Sequence, residues 1–211
     1  IDELELPKTY KMYRTPRLIG ELAYRFIMSD AAIRTEFEQR GYRQDTQFES
    51  HNDNAAEILR VQNSVMAVVE RIQNVLAGQY TEADLMVITS EQKLPAYSEA
   101  FSRAGIRFSI GEPKDMHEVT LVDFMNVKGL EREVVLVAEI EDLYCRSNSD
   151  GLFDDPATQL KAERFSRRKI YVALTRAIEE CIVYYTDAGN VFVSELVAIN
   201  RKITSKRQGT R

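Results

Sequence analysis

The sequence predicts an α/β domain built on a mostly parallel β-sheet flanked by helices. Three observations predict it: short runs that are apolar throughout, longer segments whose apolar residues recur every three or four positions, and regular alternation of the two along the chain. A run such as Val134-Val135-Leu136-Val137-Ala138 has no polar face, so it belongs in the middle of a parallel sheet covered on both sides.

The elements follow in order. Thr15 reads as an N-cap and Pro16 as the first helical residue, because a proline there loses no helical hydrogen bond. Leu18, Leu22 and Phe26, with Ala23 and Ile27, form the apolar stripe of that helix. The polar stretch 41–54 holds at most one short strand, around Phe48. Asn54 and Glu57 have capping-box spacing, and Ile58, Val61, Val65, Val68, Ile72 and Val75 continue at helical intervals, so one long helix is expected up to Gly78. Leu85 to Ile88 reads as a buried strand, Leu94 to Ala104 as a helix closed by Gly105, and Ile106 to Ile110 as a second strand. Val119 to Val122 and Val134 to Ala138 are the third and fourth strands. Residues 141–163 are rich in Asp, Ser, Asn, Gly and Pro and read as a surface excursion. A helix from about Ala162 to Ala177, a fifth strand from Cys181 to Tyr185 and a helix from Phe192 to Ile199 complete residues 1–200. Residues 201–211 read as a basic, loose tail.

Composition narrows the function classes. With 211 residues, 44% hydrophobic and 29% charged, the chain can bury roughly 70% of its unfolded surface without metals or disulfides. Cys145 and Cys181 are too few for a disulfide scaffold and lack metal-ligand spacing, so no metal site is expected and a reduced, cytoplasmic setting is. No run approaches the ~18 apolar residues of a membrane span, and Ile1-Asp2-Glu3-Leu4-Glu5 is not a signal peptide. The net charge of −5 excludes a whole-surface basic field, so any nucleic-acid contact must be local. The chain opens on Ile rather than Met, which reads as a fragment of something longer.

Two segments carry chemistry. In Asn126-Val127-Lys128-Gly129-Leu130-Glu131, a glycine between two strands permits close backbone approach to a ligand, and Glu131 offers an acceptor for hydroxyls. In Arg167-Arg168-Lys169-Ile170-Tyr171-Val172-Ala173-Leu174-Thr175-Arg176-Ala177, Arg176 follows residues that bury most of a helix. A guanidinium there needs an anionic partner, either an acidic neighbour or a bound ligand. His51 and His117 are isolated, and Tyr184-Tyr185 reads as a half-buried strand end. The acidic excursion at Asp150, Asp154 and Asp155 reads as a solvated loop, suited if anything to a partner with a basic patch.

Taken together and in this order, the segments resemble the nucleotide-binding motifs of the UvrD/Rep family of superfamily 1 helicases, in the second RecA-like motor domain. Lys128-Gly129-Leu130-Glu131 followed by Val134-Val135 is similar to that family's motif V, AKGLEF and an apolar strand. Tyr171-Val172-Ala173-Leu174-Thr175-Arg176-Ala177 matches motif VI, YVALTRA, at every position. Tyr13-Arg14-Thr15 with Ile19 is similar to motif IV, and a register at Tyr10-Lys11 is the alternative. Met86-Val87-Ile88 through Gly105-Ile106 resembles the strand, helix and strand entry that follow. The resemblance covers roughly residues 6–187.

The resemblance implies a RecA-like domain of the P-loop NTPase type that lacks its own phosphate loop, since no G-x-x-x-x-G-K-[S/T] occurs. It implies that ATP lies against a separate N-terminal RecA-like domain, which holds Mg²⁺. Arg176 and Arg14 would reach the γ-phosphate, Glu131 would contact the ribose, and Gly129, Lys128 and Thr175 would border the nucleotide. This chain alone would be inactive, and the parent protein an ATP-dependent DNA helicase acting on single-stranded DNA. Only about ten residues separate the Ile106 and Val119 strands, so the 2B insertion of UvrD and Rep is absent, which points toward the RecD and HelD branches. Asp123-Phe124-Met125 stands where the family carries Thr-x-His, and Arg132 where an aromatic is usual. HelD relatives act on RNA polymerase, so remodelling of that enzyme without unwinding is the alternative function.

Overall fold

The computed structural model describes residues 14–39, 50, 52–113, 115, 117–146 and 155–208. Among the described residues, six strands form one all-parallel sheet, flanked by six α-helices. The strands are β1 (Glu57–Arg60), β2 (Leu85–Thr89), β3 (Phe108–Ile110), β4 (Val119–Asp123), β5 (Arg132–Val137) and β6 (Ala177–Tyr185), in the spatial order β1-β6-β5-β2-β4-β3. The helices are α1 (Arg17–Met28), α2 (Ala31–Gln39), α3 (Ser64–Leu76), α4 (Leu94–Ala104), α5 (Pro156–Leu174) and α6 (Val191–Gln208). This is the α/β architecture of a RecA-like domain.

The alternation of side chains along each strand divides the core in two. Met86, Ile88, Val135, Val137, Cys181 and Val183 face one side and pack with α1, α5 and α6 through Leu22, Phe26, Ile170, Phe192 and Leu196. Leu85, Val87, Val134, Leu136, Ile182 and Tyr184 face the other and pack with α3 and α4 through Val68, Ile72, Tyr97 and Phe101. Burial on both faces is what the unbroken apolar runs require.

Five local expectations are corrected. The long helix expected from Asn54 to Gly78 is β1 followed by α3: Asn63 caps α3 by accepting from the Met66 N–H at 3.1 Å, and residues 57–60 pair with β6, Ile58 opposite Val183. Backbone groups at the sheet edge outweighed an apolar period that fits either state. Thr15 does not cap α1; Pro16 occupies the N-cap position, and no side chain caps it. The helix expected from Ala162 begins at Pro156, capped by Asp155, which accepts from the Thr158 N–H at 2.9 Å. Asp155, read as part of a solvated loop, is thus a helix cap. The helix ends at Leu174, so Ala177 belongs to β6, which starts ahead of the expected Cys181. The last helix, expected to close at Ile199, continues to Gln208 with Ile203 buried, through most of the stretch read as a loose tail. The strand around Phe48, the alternative register at Lys11, and His51, Asp150 and Asp154 lie outside the described residues.

Candidate nucleotide-binding face

Strand pairing brings the two informative segments together. Glu131 immediately precedes β5 and Arg176 immediately precedes β6; the two strands are neighbours, with Arg132 opposite Ala177. The Arg132 N–H donates to the Arg176 carbonyl at 3.2 Å, and the register shifts between Arg132 and Val134, an irregularity at the doorstep of the site. Arg14 lies three residues ahead of α1, which packs on α5.

The three side chains converge. Arg14 Nη1 lies 2.8 Å from Glu131 Oε2, and Arg176 Nη1 lies 3.9 Å from Glu131 Oε1. Arg176 is held further by its own helix end: Nε donates to the Val172 carbonyl at 3.0 Å and Nη2 to Thr175 Oγ1 at 3.3 Å. Thr175 is buried, and its hydroxyl also donates to the Val172 carbonyl at 2.9 Å. Its hydroxyl thus helps to orient Arg176.

Gly129 adopts φ +89°, the left-handed region where a side chain is strained, in the turn closed by the Leu130 N–H donating to the Val127 carbonyl. A Cβ there would meet nothing within 4 Å, so backbone conformation and not crowding calls for glycine, and the space above it is open. Lys128 and Gly129 border a groove of about 540 Å³ that Arg176 also lines.

That groove also holds side chains to which the sequence assigns no role: Phe165, Arg168, Lys169 and Val172 line it from α5, beside Arg176 in the turn after it. Their spacing of three, four, seven and eleven residues from Phe165 to Arg176, a signal present in the sequence, sets them on one face. Phe165 and Met125 stay 49% and 54% exposed. The Lys169 ammonium lies 4.6 Å from the Phe165 ring centroid, and burial pulls its pKa down. Arg168 pairs with Glu36. An adjoining cavity of about 230 Å³ includes Glu91, Asp123 and Asp142 in its lining. Asp123 itself caps the following turn, accepting from the Met125 N–H and the Asn126 side-chain amide, both at 2.7 Å. Among the described residues no group of acidic, His and Cys side chains could hold a metal ion, and no helix is long and apolar enough to cross a membrane.

No protein-family model and no curated protein matches the sequence. Among solved structures, the chain is similar to one described as the C-terminal domain of a possible DNA helicase from Lactobacillus plantarum WCFS1. The TM-score is 0.56 at 15% identity over 89% of this chain and 96% of that one, so the two share the fold.

Proposed function

We propose that this chain is the second RecA-like motor lobe of an ATP-dependent DNA helicase or translocase of the UvrD-like superfamily 1 type, working against a separate N-terminal RecA-like lobe that cradles ATP and Mg²⁺. The observation that carries the reading is the convergence of Arg14, Glu131 and Arg176 at the starts of α1, β5 and β6. The donor set fits the terminal end of a nucleotide. Two permanently charged guanidinium forks suit phosphate oxygens, a carboxylate suits sugar hydroxyls, and open space over Gly129 and Lys128 admits the ligand. The description of the similar solved structure as a possible DNA helicase domain agrees with this reading.

When bound, ATP supplies the phosphoanhydride bond whose terminal phosphoryl group passes to water. Arg176, oriented by Val172 and Thr175, stabilises the charge that develops on that group, and Arg14 adds a second guanidinium from the segment just before α1. Glu131 accepts from the sugar. The groove along α5, with Phe165 and Met125 exposed on it and Lys169 half-buried beside them, offers stacking surface and positive charge to single-stranded DNA. Such a motor works in the cytoplasm.

The test is Arg176→Ala in a polypeptide that joins this chain to a phosphate-loop lobe. Turnover falls by about 10³-fold or more, while nucleotide affinity is largely kept; unchanged turnover overturns the reading. A second reading, an ATP-driven factor of the HelD type that remodels RNA polymerase, is favoured by the carboxylates of Glu91, Asp123 and Asp142 beside the groove, which repel a phosphate backbone. ATPase stimulation by single-stranded DNA supports the translocase; stimulation by RNA polymerase alone supports the remodeller.

A further inference from the structure

The Glu131 carboxylate faces two guanidinium groups at once, one on each oxygen. Two arginines brought together at one strand edge repel each other unless an anion lies between them, and here the chain supplies that anion itself. The arrangement is open to exchange. The Arg14 side chain is 79% exposed and that of Glu131 29%, so water and salt screen the pair. Arg176 is anchored through Nε and Nη2, so losing Glu131 would free Nη1 without releasing the side chain from Val172 and Thr175.

We propose that Glu131 is a built-in competitor for the anion site formed by Arg14 and Arg176. It holds both guanidinium groups in register while no ligand is present, and a polyphosphate, with more charge and more acceptor oxygens than a carboxylate, displaces it. Displacement frees Glu131 to accept hydrogen bonds elsewhere on the same ligand, so the exchange couples recognition of the phosphate end to recognition of the rest. The ligand class rests on the functional reading above; the competition itself rests on the three side chains.

The experiment titrates inorganic pyrophosphate into the chain at low salt, by calorimetry, for the wild type, Glu131→Gln and Glu131→Ala. Far-UV circular dichroism and thermal melting confirm that each variant is folded. Removing the carboxylate tightens binding about fivefold, the equivalent of the ~1 kcal/mol upper range of an exposed ion pair. The gain disappears when Arg14→Ala or Arg176→Ala is added to Glu131→Gln. A second readout needs no variant: in the wild type, the Nε–H signals of Arg14 and Arg176 and the side-chain carboxyl carbon signal of Glu131 move together as pyrophosphate is added. Equal or weaker binding by both Glu131 variants overturns the proposal, and so does a gain that survives Arg176→Ala or a carboxyl signal that stays still while the arginine signals move.

These results separate the proposal from the functional reading. Loss of turnover in Arg176→Ala together with unchanged pyrophosphate affinity in the Glu131 variants removes the competitor and keeps the motor lobe. Tighter pyrophosphate binding together with full turnover in Arg176→Ala does the reverse.

Discussion

The buried hydroxyl of Thr15 donates to the carbonyl oxygen of Thr175 at 3.1 Å, across 160 residues of sequence. This single bond ties the junction before α1 to the turn after α5, and so fixes the backbone that carries Arg14 relative to the backbone that carries Arg176. Thr15 is 4% exposed, so water does not readily replace the lost donor. Thr15→Val should lower stability by about 1–2 kcal/mol in urea unfolding, with Thr15→Ser close to wild type. In a polypeptide that includes a phosphate-loop lobe, Thr15→Val should reduce kcat more than it changes KM, and Thr15→Ser should restore it. A loss in Thr15→Ser with Thr15→Val at the wild-type level would show that the methyl group and not the hydroxyl matters.

Arg167 clamps the same two helices from the far side. Its Nη1 donates to the Phe26 carbonyl and the Ser29 hydroxyl, both at 2.9 Å, and its Nη2 lies 2.8 Å from Glu195. Its guanidinium carbon sits 4.6 Å and 5.3 Å from the ring centroids of Phe26 and Phe192. Arg167→Met leaves the Glu195 carboxylate, which is partly exposed, without its cation and should cost about 2–4 kcal/mol, less than a fully buried pair would. Arg167→Lys keeps the charge but not the planar stack, and should fall between. Denaturation midpoints at unchanged denaturant slope are the measurement.

The central sheet was legible in the sequence because β2, β4 and β5 are apolar on both faces, a pattern that an amphipathic helix does not produce. β1 was not: Ile58 and Val61 fit the helical period of the segment that follows, and only the open edge of β6 decides their state. Of the candidate site, Arg14, Glu131 and Arg176 could be named from their segments, yet their convergence depends on β5 lying beside β6, which no local pattern encodes. Thr175 was named for its place in the segment, but that its buried hydroxyl accepts from Arg176 is visible only in the structure. Thr15 has the look of a helix cap in sequence; its partner is far off in the chain, so no local rule could find it.

Gly129 makes a cleaner test of backbone strain than most glycines. Its φ of +89° disfavours any side chain, while the space around a Cβ is empty within 4 Å. Gly129→Ala should therefore cost only the conformational term, about 1 kcal/mol, and Gly129→Asn less, because asparagine visits positive φ more readily. Thermal unfolding checks it: a loss of several kcal/mol would mean that the loop is crowded after all.

Glu139 gives the chain a pH dependence of unusual sign. It sits just after β5 with φ +55° and is 6% exposed, and it accepts from the hydroxyls of Ser64, Thr89 and Tyr97, the last two at 2.6 Å and 3.0 Å. Burial, with Asp142 nearby, pushes its carboxyl above the ordinary value of 4.5 despite those donors. The folded chain therefore keeps a proton that the unfolded chain has released. As pH rises from the ordinary carboxylate value to the raised folded one, stability falls, by at most about 1.4 kcal/mol per pH unit; below that window Glu139 contributes fully, and above it the loss is complete. Glu139→Gln keeps an acceptor for the hydroxyls but cannot ionise, so its stability should stay level across the same window. Urea unfolding of wild type and variant over a pH series gives the difference directly. A wild type that gains stability relative to Glu139→Gln as pH rises would show that the three hydroxyls outweigh burial and that the carboxylate is the favoured buried form.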